Sequence, residues 1–228
     1  MGLNPGDHIC AIYSTEHELV HVVADFLAEG LCQSERCWYL SAADEPDLVR
    51  ASLEDRSVDT TRAIDRGALR ILSSNAAYSV RGDFEPEETM AVFNSAIEQA
   101  LTDGFNGFRA AADMSWALDL DNGVERLIIY EALLRSLFAN ARATGLCLYD
   151  RNRMPLAVID GALCTHPLIR ANSAFCQNPF YDPEVQSLQA ADAASVTSKL
   201  AELDRLPPTF ERRQRGRPRH AANTKTTN

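Results

Sequence analysis

Over its first 180 residues the chain alternates short apolar runs with longer amphipathic stretches, and that alternation predicts a doubly wound α/β fold, a mostly parallel sheet with helices on both faces. The first run is His8 to Tyr13. The helix after it starts at a Thr15-x-x-Glu18 capping box, carries Leu19, Val22, Val23, Phe26 and Leu27 on one face, and has Gly30 at its exit. A second strand, Cys37 to Ser41, precedes a helix that Asp44 caps, that takes Pro46 into its first turn and that runs to about Asp55. Gly67 leads into a third strand, Ala68 to Ser73, and Ser74 to Asp83 reads as a long loop. Pro86 opens a helix with a stripe of Met90, Phe93, Ile97 and Leu101, which turns into the strand Phe108 to Asp113.

The strongest helical pattern comes next, with Val124, Leu127, Ile128, Leu134, Leu137 and Phe138, followed by the strand Leu146 to Tyr149. A short helix is predicted after Pro155 and a last strand over Pro167 to Ala171, and the turn-rich Asn178-Pro-Phe-Tyr-Asp-Pro183 closes the domain. Residues 184 to 205 look helical with a looser period, and Pro207-Pro208 separates them from a basic end. The organisation is thus an α/β domain over 1–183, a C-terminal helix over 184–206 and a disordered basic tail over 207–228.

Composition excludes several classes. With 228 residues, 46% hydrophobic and 24% charged, the chain has room for one packed domain and is neither disordered throughout nor fibrous. No run approaches the ~20 apolar residues of a membrane span, and Met-Gly-Leu-Asn-Pro-Gly-Asp-His lacks the basic and apolar regions of a signal peptide. A cytoplasmic protein with no membrane partner is expected, its six cysteines free thiols. The net charge of -10 is uneven: Arg212, Arg213, Arg215, Arg217, Arg219 and Lys225 stand against Glu211, so the tail carries +5 and the first 210 residues -15. An acidic body is a poor nucleic-acid surface, but Arg215-Gly216-Arg217-Pro218 has the composition that lies in a narrow A·T-rich minor groove.

A phosphate-binding loop after the first strand needs glycines, a lysine and a Ser/Thr, and the chain reads Tyr13-Ser-Thr-Glu-His-Glu18 there. Two glutamates at that helix start repel a triphosphate. Asp113 resembles a magnesium-binding strand end but lacks the lysine loop that would go with it. There is no Gly-x-Ser-x-Gly elbow, no His-Glu-x-x-His and no dinucleotide fingerprint, so no catalytic motif is supported. His8 and Cys10 sit two apart in a strand and share a face. With His166 and Cys176 they make an inventory that suits core roles, a tetrahedral zinc site or a ligand pocket. Glu131 falls on the apolar face of the long helix, where a carboxylate needs a partner or a shifted pKa, and Trp116 and Tyr130 are placed to line a pocket with it. Cys32, Cys37, Cys147 and Cys164 read as core or near-core residues.

Gly6-Asp-His-Ile-Cys10 with the Ala-Ile-Tyr that follows, Glu35-Arg-Cys-Trp-Tyr-Leu40, Asp113-Met-Ser-Trp116, Tyr130-Glu131, His166-Pro-Leu-Ile and Cys176-Gln-Asn-Pro-Phe-Tyr181 together resemble the MEDS domain. That family is named for methanogens, methylotrophs and the sensory part of the dichloromethane-responsive regulator DcmR, and the resemblance covers about residues 3 to 182. It implies a cytoplasmic sensory domain related to RecA/KaiC-type ATPases without their phosphate loop, binding hydrocarbon derivatives and signalling to a transcriptional or kinase partner. The family's His-x-Cys motif falls on His8 and Cys10. The helix-turn-helix of DcmR-like regulators has no counterpart segment here, which leaves only the Arg-Gly-Arg-Pro tail for DNA.

The resulting expectation is a non-catalytic sensor without a cofactor, binding a small, largely apolar ligand at the strand ends through His8 and Cys10, with Asp113, Trp116, Glu131, His166 and Cys176 as further contacts. A metal- or cofactor-bound redox sensor using His8, Cys10, His166 and Cys176 is the first alternative, and a degenerate nucleotide-binding enzyme the second. Homodimerisation is expected through residues 184–205.

Overall fold

Period-two alternation along the strands decides which side chains meet which helices. The computed structural model describes residues 2–41, 46–73, 84–185, 187 and 189–206. Its strands are β1 (His8–Tyr13), β2 (Arg36–Ser41), β3 (Leu69–Ser73), β4 (Phe108–Asp113), β5 (Ala143–Asp150), β6 (Leu168–Ala171) and β7 (Ala174–Gln177). They form one seven-stranded sheet in the order β3-β2-β4-β5-β1-β6-β7, parallel throughout except for the antiparallel β6–β7 pair. The helices are α1 (Glu16–Cys32), α2 (Pro46–Asp55), α3 (Thr60–Asp65), α4 (Pro86–Thr102), α5 (Gly123–Ala139), α6 (Leu156–Thr165) and α7 (Ala193–Leu203). A 3-10 turn, Met114–Asp119, links β4 to α5.

Two apolar layers flank the sheet, as the doubly wound reading requires. Ile9, Ala11 and Tyr13 of β1 and Leu146 and Leu148 of β5 pack in the layer of α1 and α2. Cys10 of β1 and Cys147 and Tyr149 of β5 lie on the other side, in the layer of α4, α5, α6 and α7. The β1–β5 register sets His8 opposite Gly145 and Cys10 opposite Cys147.

Local differences from the sequence reading have physical causes. Helix α1 continues past Gly30 to Cys32, and the chain turns at Ser34 with φ 60°. Gly30 faces the Arg109 side chain instead of capping. Leu101, expected on the buried stripe of α4, is 38% exposed, because Thr89, Phe93, Ala96, Ile97 and Ala100 define that face. Asp59 starts the unanticipated α3 by accepting from Arg62 N at 2.9 Å. The strand predicted to be last is followed by β7 through a two-residue turn in which Asn172 and Ser173 both take positive φ, 51° and 59°. That geometry is the type I′ turn of tight hairpins. The helical reading of 184–205 narrows to α7, which Asp192 caps by accepting from Ser195 N at 2.9 Å.

Asp44, the loop Ser74 to Asp83 and the basic tail with Arg215 to Pro218 lie outside the described residues. Among the described residues no helix is long and apolar enough to cross a membrane. All six cysteines are free thiols.

Candidate functional site

Four ionisable side chains from four elements converge between the sheet and the α5–α6 layer. His8 opens β1 and Cys147 lies on the neighbouring β5, two residues beyond the Gly145 that pairs with His8, so both project from the same face. Glu131 comes down from α5, on the same side as Leu127 and Leu134. His166 caps the C-terminus of α6 with extended φ/ψ of -104° and 122°, a conformation imposed by the Pro167 that follows. His8 is 1% exposed, Glu131 and His166 are 0% exposed, and Cys147 is buried with them.

One carboxylate oxygen is the meeting point. Glu131 Oε2 lies 3.1 Å from His166 Nε2, 3.2 Å from His8 Nε2 and 3.5 Å from Cys147 Sγ. His8 Nε2 is 3.4 Å from Cys147 Sγ, and the two imidazole rings are 4.1 Å apart between centroids. The other carboxylate oxygen, Oε1, accepts a short hydrogen bond from the Tyr149 hydroxyl. His166 Nδ1 is 2.8 Å from the carbonyl of Ala162. A carbonyl only accepts, so Nδ1 carries the proton and Nε2 is the nitrogen turned to the cluster.

Burial and charge oppose each other here. Burial alone pushes the Glu131 carboxyl up, but attraction to His166 and close polar contacts with His166 and His8 outweigh it and hold the group well below the usual carboxylate range. Burial, then repulsion from His166, pushes His8 down to about 4 against the pull of Glu131. Burial and then the Glu131 charge push the thiols of Cys10 and Cys147 and the phenol of Tyr149 well up. The protein alone thus presents a thiol and a phenol, both protonated at neutral pH, to one carboxylate.

The remaining sequence candidates occupy other places. Cys10 is buried beside Cys147 in the β1–β5 register but is not one of the four whose donor atoms converge. Cys176 sits on β7, opposite Ile169 of β6, and its thiol lies 3.6 Å from the Ile169 carbonyl. Asp113 accepts from Tyr13 Oη and from Ser115 N, both at 2.8 Å, and so caps the 3-10 turn. Trp116 packs on Phe84 at 4.4 Å between ring centroids, and Tyr130 meets both rings edge-on, at 5.2 Å from Phe84 and 6.3 Å from Trp116. By sequence Cys147 reads as a core residue and Tyr149 as the end of a strand, with no place in the site for either. Their two-residue spacing on an apolar strand, the same as that of His8 and Cys10, is the signal that places both on the face with Glu131.

The strand ends hold a different kind of space. A cleft of about 480 Å³ beyond the carboxyl ends of β1 and β6 is lined by Ser14, His17, Glu18, His21, Arg170 and Asp204, among others. At its edge Ser14 N donates to Glu18 Oε2 at 2.7 Å and Glu18 N donates to Thr15 Oγ1 at 3.2 Å. Two of the backbone donors around the start of α1, Ser14 N and Glu18 N, are thus taken by the chain's own side chains.

A family model described as MEDS, the methanogen/methylotroph, DcmR sensory domain, matches residues 7–167. No curated protein matches the chain. Among solved structures, a KaiC-like protein from the hyperthermophilic archaeon Pyrococcus horikoshii is similar, with 11% identity and a TM-score of 0.53 over 74% of this chain and 71% of that one. At that identity the likeness concerns the fold: a KaiC-like, RecA-related sheet.

Proposed function

The chain belongs to the MEDS family of sensory domains, and from that membership we propose that it senses a small, hydrocarbon-derived molecule at the buried His8–Glu131–His166–Cys147 cluster. The occupied and empty forms would then be read by a transcription regulator or kinase. The observation that carries this reading is the burial of four ionisable groups around Glu131 Oε2, a costly arrangement that a merely structural core does not need. The cluster lies under α5 and α6, so a ligand reaching it must favour a conformation in which that layer opens. Such differential affinity shifts the population a partner recognises.

A non-catalytic role accords with the same geometry. Cys147 faces His8 as a nucleophile would face its base, yet it is buried and its thiol is pushed up, the reverse of an activated thiolate. The two glutamates in the first turn of α1, one of which holds Ser14 N, likewise speak against nucleotide hydrolysis.

Thermal unfolding of the full chain against short-chain alcohols, aldehydes and chlorinated methanes tests the reading. A member of that panel at about a hundred times its Kd is expected to raise Tm by about 5–10 °C. The rise should vanish in Glu131→Gln. No shift from any panel member, together with a native mass equal to that of the bare polypeptide, would overturn the proposal.

A further inference from the structure

The geometry points to a tetrahedral transition-metal site, best suited to Zn²⁺, with His8 Nε2, His166 Nε2, Cys147 Sγ and one oxygen of Glu131 as its four ligands. The inference rests on the placement of the sensing centre at this cluster and names what holds that centre together.

The first argument is distance. With zinc bonds of about 2.0–2.1 Å to nitrogen and oxygen and about 2.3 Å to sulfur, tetrahedral ligands sit about 3.3 Å apart for N and O, and about 3.5 Å when one is sulfur. The structure has 3.1 and 3.2 Å for the two carboxylate–imidazole edges, 3.5 Å for carboxylate–sulfur and 3.4 Å for imidazole–sulfur. All four donor atoms lie within 4.8 Å of one another. Four of the six edges of the quartet therefore have tetrahedral lengths, and the two that run from His166 to His8 and to Cys147 fall within the 4.8 Å bound.

The second argument is proton supply. Since His166 Nδ1 donates to the Ala162 carbonyl, a neutral His166 turns a lone pair toward the carboxylate. His166 Nε2 is buried and, despite its 3.1 Å approach to Glu131, makes no directed hydrogen bond, and His8 Nδ1 is also buried without a partner. Protonating both imidazoles would put two positive rings 4.1 Å apart against one carboxylate in a fully buried site. A cation at the centre satisfies the Nε2 lone pairs of both histidines at once, while His8 Nδ1 then carries the ring proton on the side away from the ion.

The third argument is charge and support. A divalent ion with one carboxylate and one thiolate is neutral overall, the balance a buried site requires, and the Cys147 proton leaves to solvent as the metal binds. Tyr149 on Glu131 and the Ala162 carbonyl on His166 are the outer hydrogen bonds that orient metal ligands. Two imidazoles, a thiolate and a carboxylate in tetrahedral arrangement suit zinc over magnesium or calcium.

The test is Co²⁺ titration of the full-length protein after chelator treatment, beside elemental analysis of the protein as purified. One equivalent of Co²⁺ is expected to give the intense visible bands of a four-coordinate ion and an ultraviolet thiolate-to-cobalt band. Cys147→Ser should lose the ultraviolet band and weaken binding at least tenfold, while Cys10→Ser and Cys176→Ser keep both. No cobalt spectrum in the unaltered protein, or an ultraviolet band that survives Cys147→Ser, would overturn the site, and the first of these needs no variant to fold. Failure here is separable from failure of the sensor reading: a metal-free protein that still shows ligand-dependent Tm shifts refutes only the metal, and a metal-loaded protein indifferent to every panel molecule refutes only the ligand.

Discussion

The Tyr149 hydroxyl donates to Glu131 Oε1, and this bond leaves Oε2 as the oxygen on which His8, His166 and Cys147 converge. Both groups are fully buried, so neither has water to fall back on. Tyr149→Phe keeps the ring in its layer and strands one carboxylate oxygen. A buried acceptor left unsatisfied costs about 1–3 kcal/mol. Urea unfolding of the metal-free protein is expected to show a loss of that size at unchanged m-value, and a stability equal to the parent's would mean that the bond contributes nothing net.

Much of the architecture is legible in the sequence because it is local. Strand periodicity and glycine or proline punctuation locate β1 and β4 to the residue, and the apolar spacing of Leu127, Leu134 and Phe138 finds α5. Glu131 stands out for the same reason, as a charge on an apolar stripe. The assembly of the cluster is not local: His8 meets Cys147 across 139 positions, through a β1–β5 pairing that reorders the strands. Cys147 in Gly-Leu-Cys-Leu-Tyr is indistinguishable by pattern from a core residue, and only the register turns it toward Glu131. Arg109 is invisible for a related reason. It is fully buried in β4 and held by Glu35 at 2.6 Å, Glu29 at 3.2 Å and the Phe26 carbonyl at 2.9 Å, all supplied by distant chain.

Gly30 follows from that arginine. In an exposed helix interior, Gly→Ala gains about 1 kcal/mol of propensity. Here an added Cβ would stand 2.7 Å from Arg109 Cδ and Nε and 2.8 Å from Cys37 Sγ, and the guanidinium is pinned by its carboxylates. Overpacking of a fixed core costs about 1–3 kcal/mol. Gly30→Ala is therefore expected to destabilise the protein on balance, and a higher urea midpoint in this variant would show that Arg109 moves freely.

The β6–β7 hairpin carries the opposite expectation. Ser173 takes φ 59° in its turn, a region that costs an L-residue about 1–2 kcal/mol. Its neighbour Asn172 has work to do, donating through Nδ2 to the carbonyls of Asp204 and Leu206 at 3.2 and 2.9 Å, which tie the end of α7 to the hairpin. Ser173→Gly keeps that tie and creates the Asn-Gly pair favoured in type I′ turns. A gain of about 0.5–1 kcal/mol in unfolding free energy is expected, after glycine's entropy in the unfolded chain is set against the relief of strain. Asn172→Ala is expected to lose stability, so the two adjacent substitutions should move the urea midpoint in opposite directions.

Thiol labelling separates the cysteines by place. Cys32, at the end of α1, is exposed. Cys164 is half-buried, and its thiol is pushed up chiefly by burial, against the pull of Lys199 and with smaller contributions from Asp160 and Asp182. Burial also pushes Cys10, Cys37 and Cys147 up, and Cys176 is buried on β7 with its thiol raised by the same cause. Because the thiolate is the reacting species, a raised pKa and lost access act in the same direction. Mass-resolved alkylation of the native protein at neutral pH is expected to modify Cys32 first and Cys164 more slowly, leaving the other four intact until denaturant is added. Raising the pH should speed Cys164, since more of its thiolate then forms, but should not expose Cys147, whose protection is burial beneath α5 and α6. Rapid native labelling of Cys147 would mean that this layer opens without a ligand.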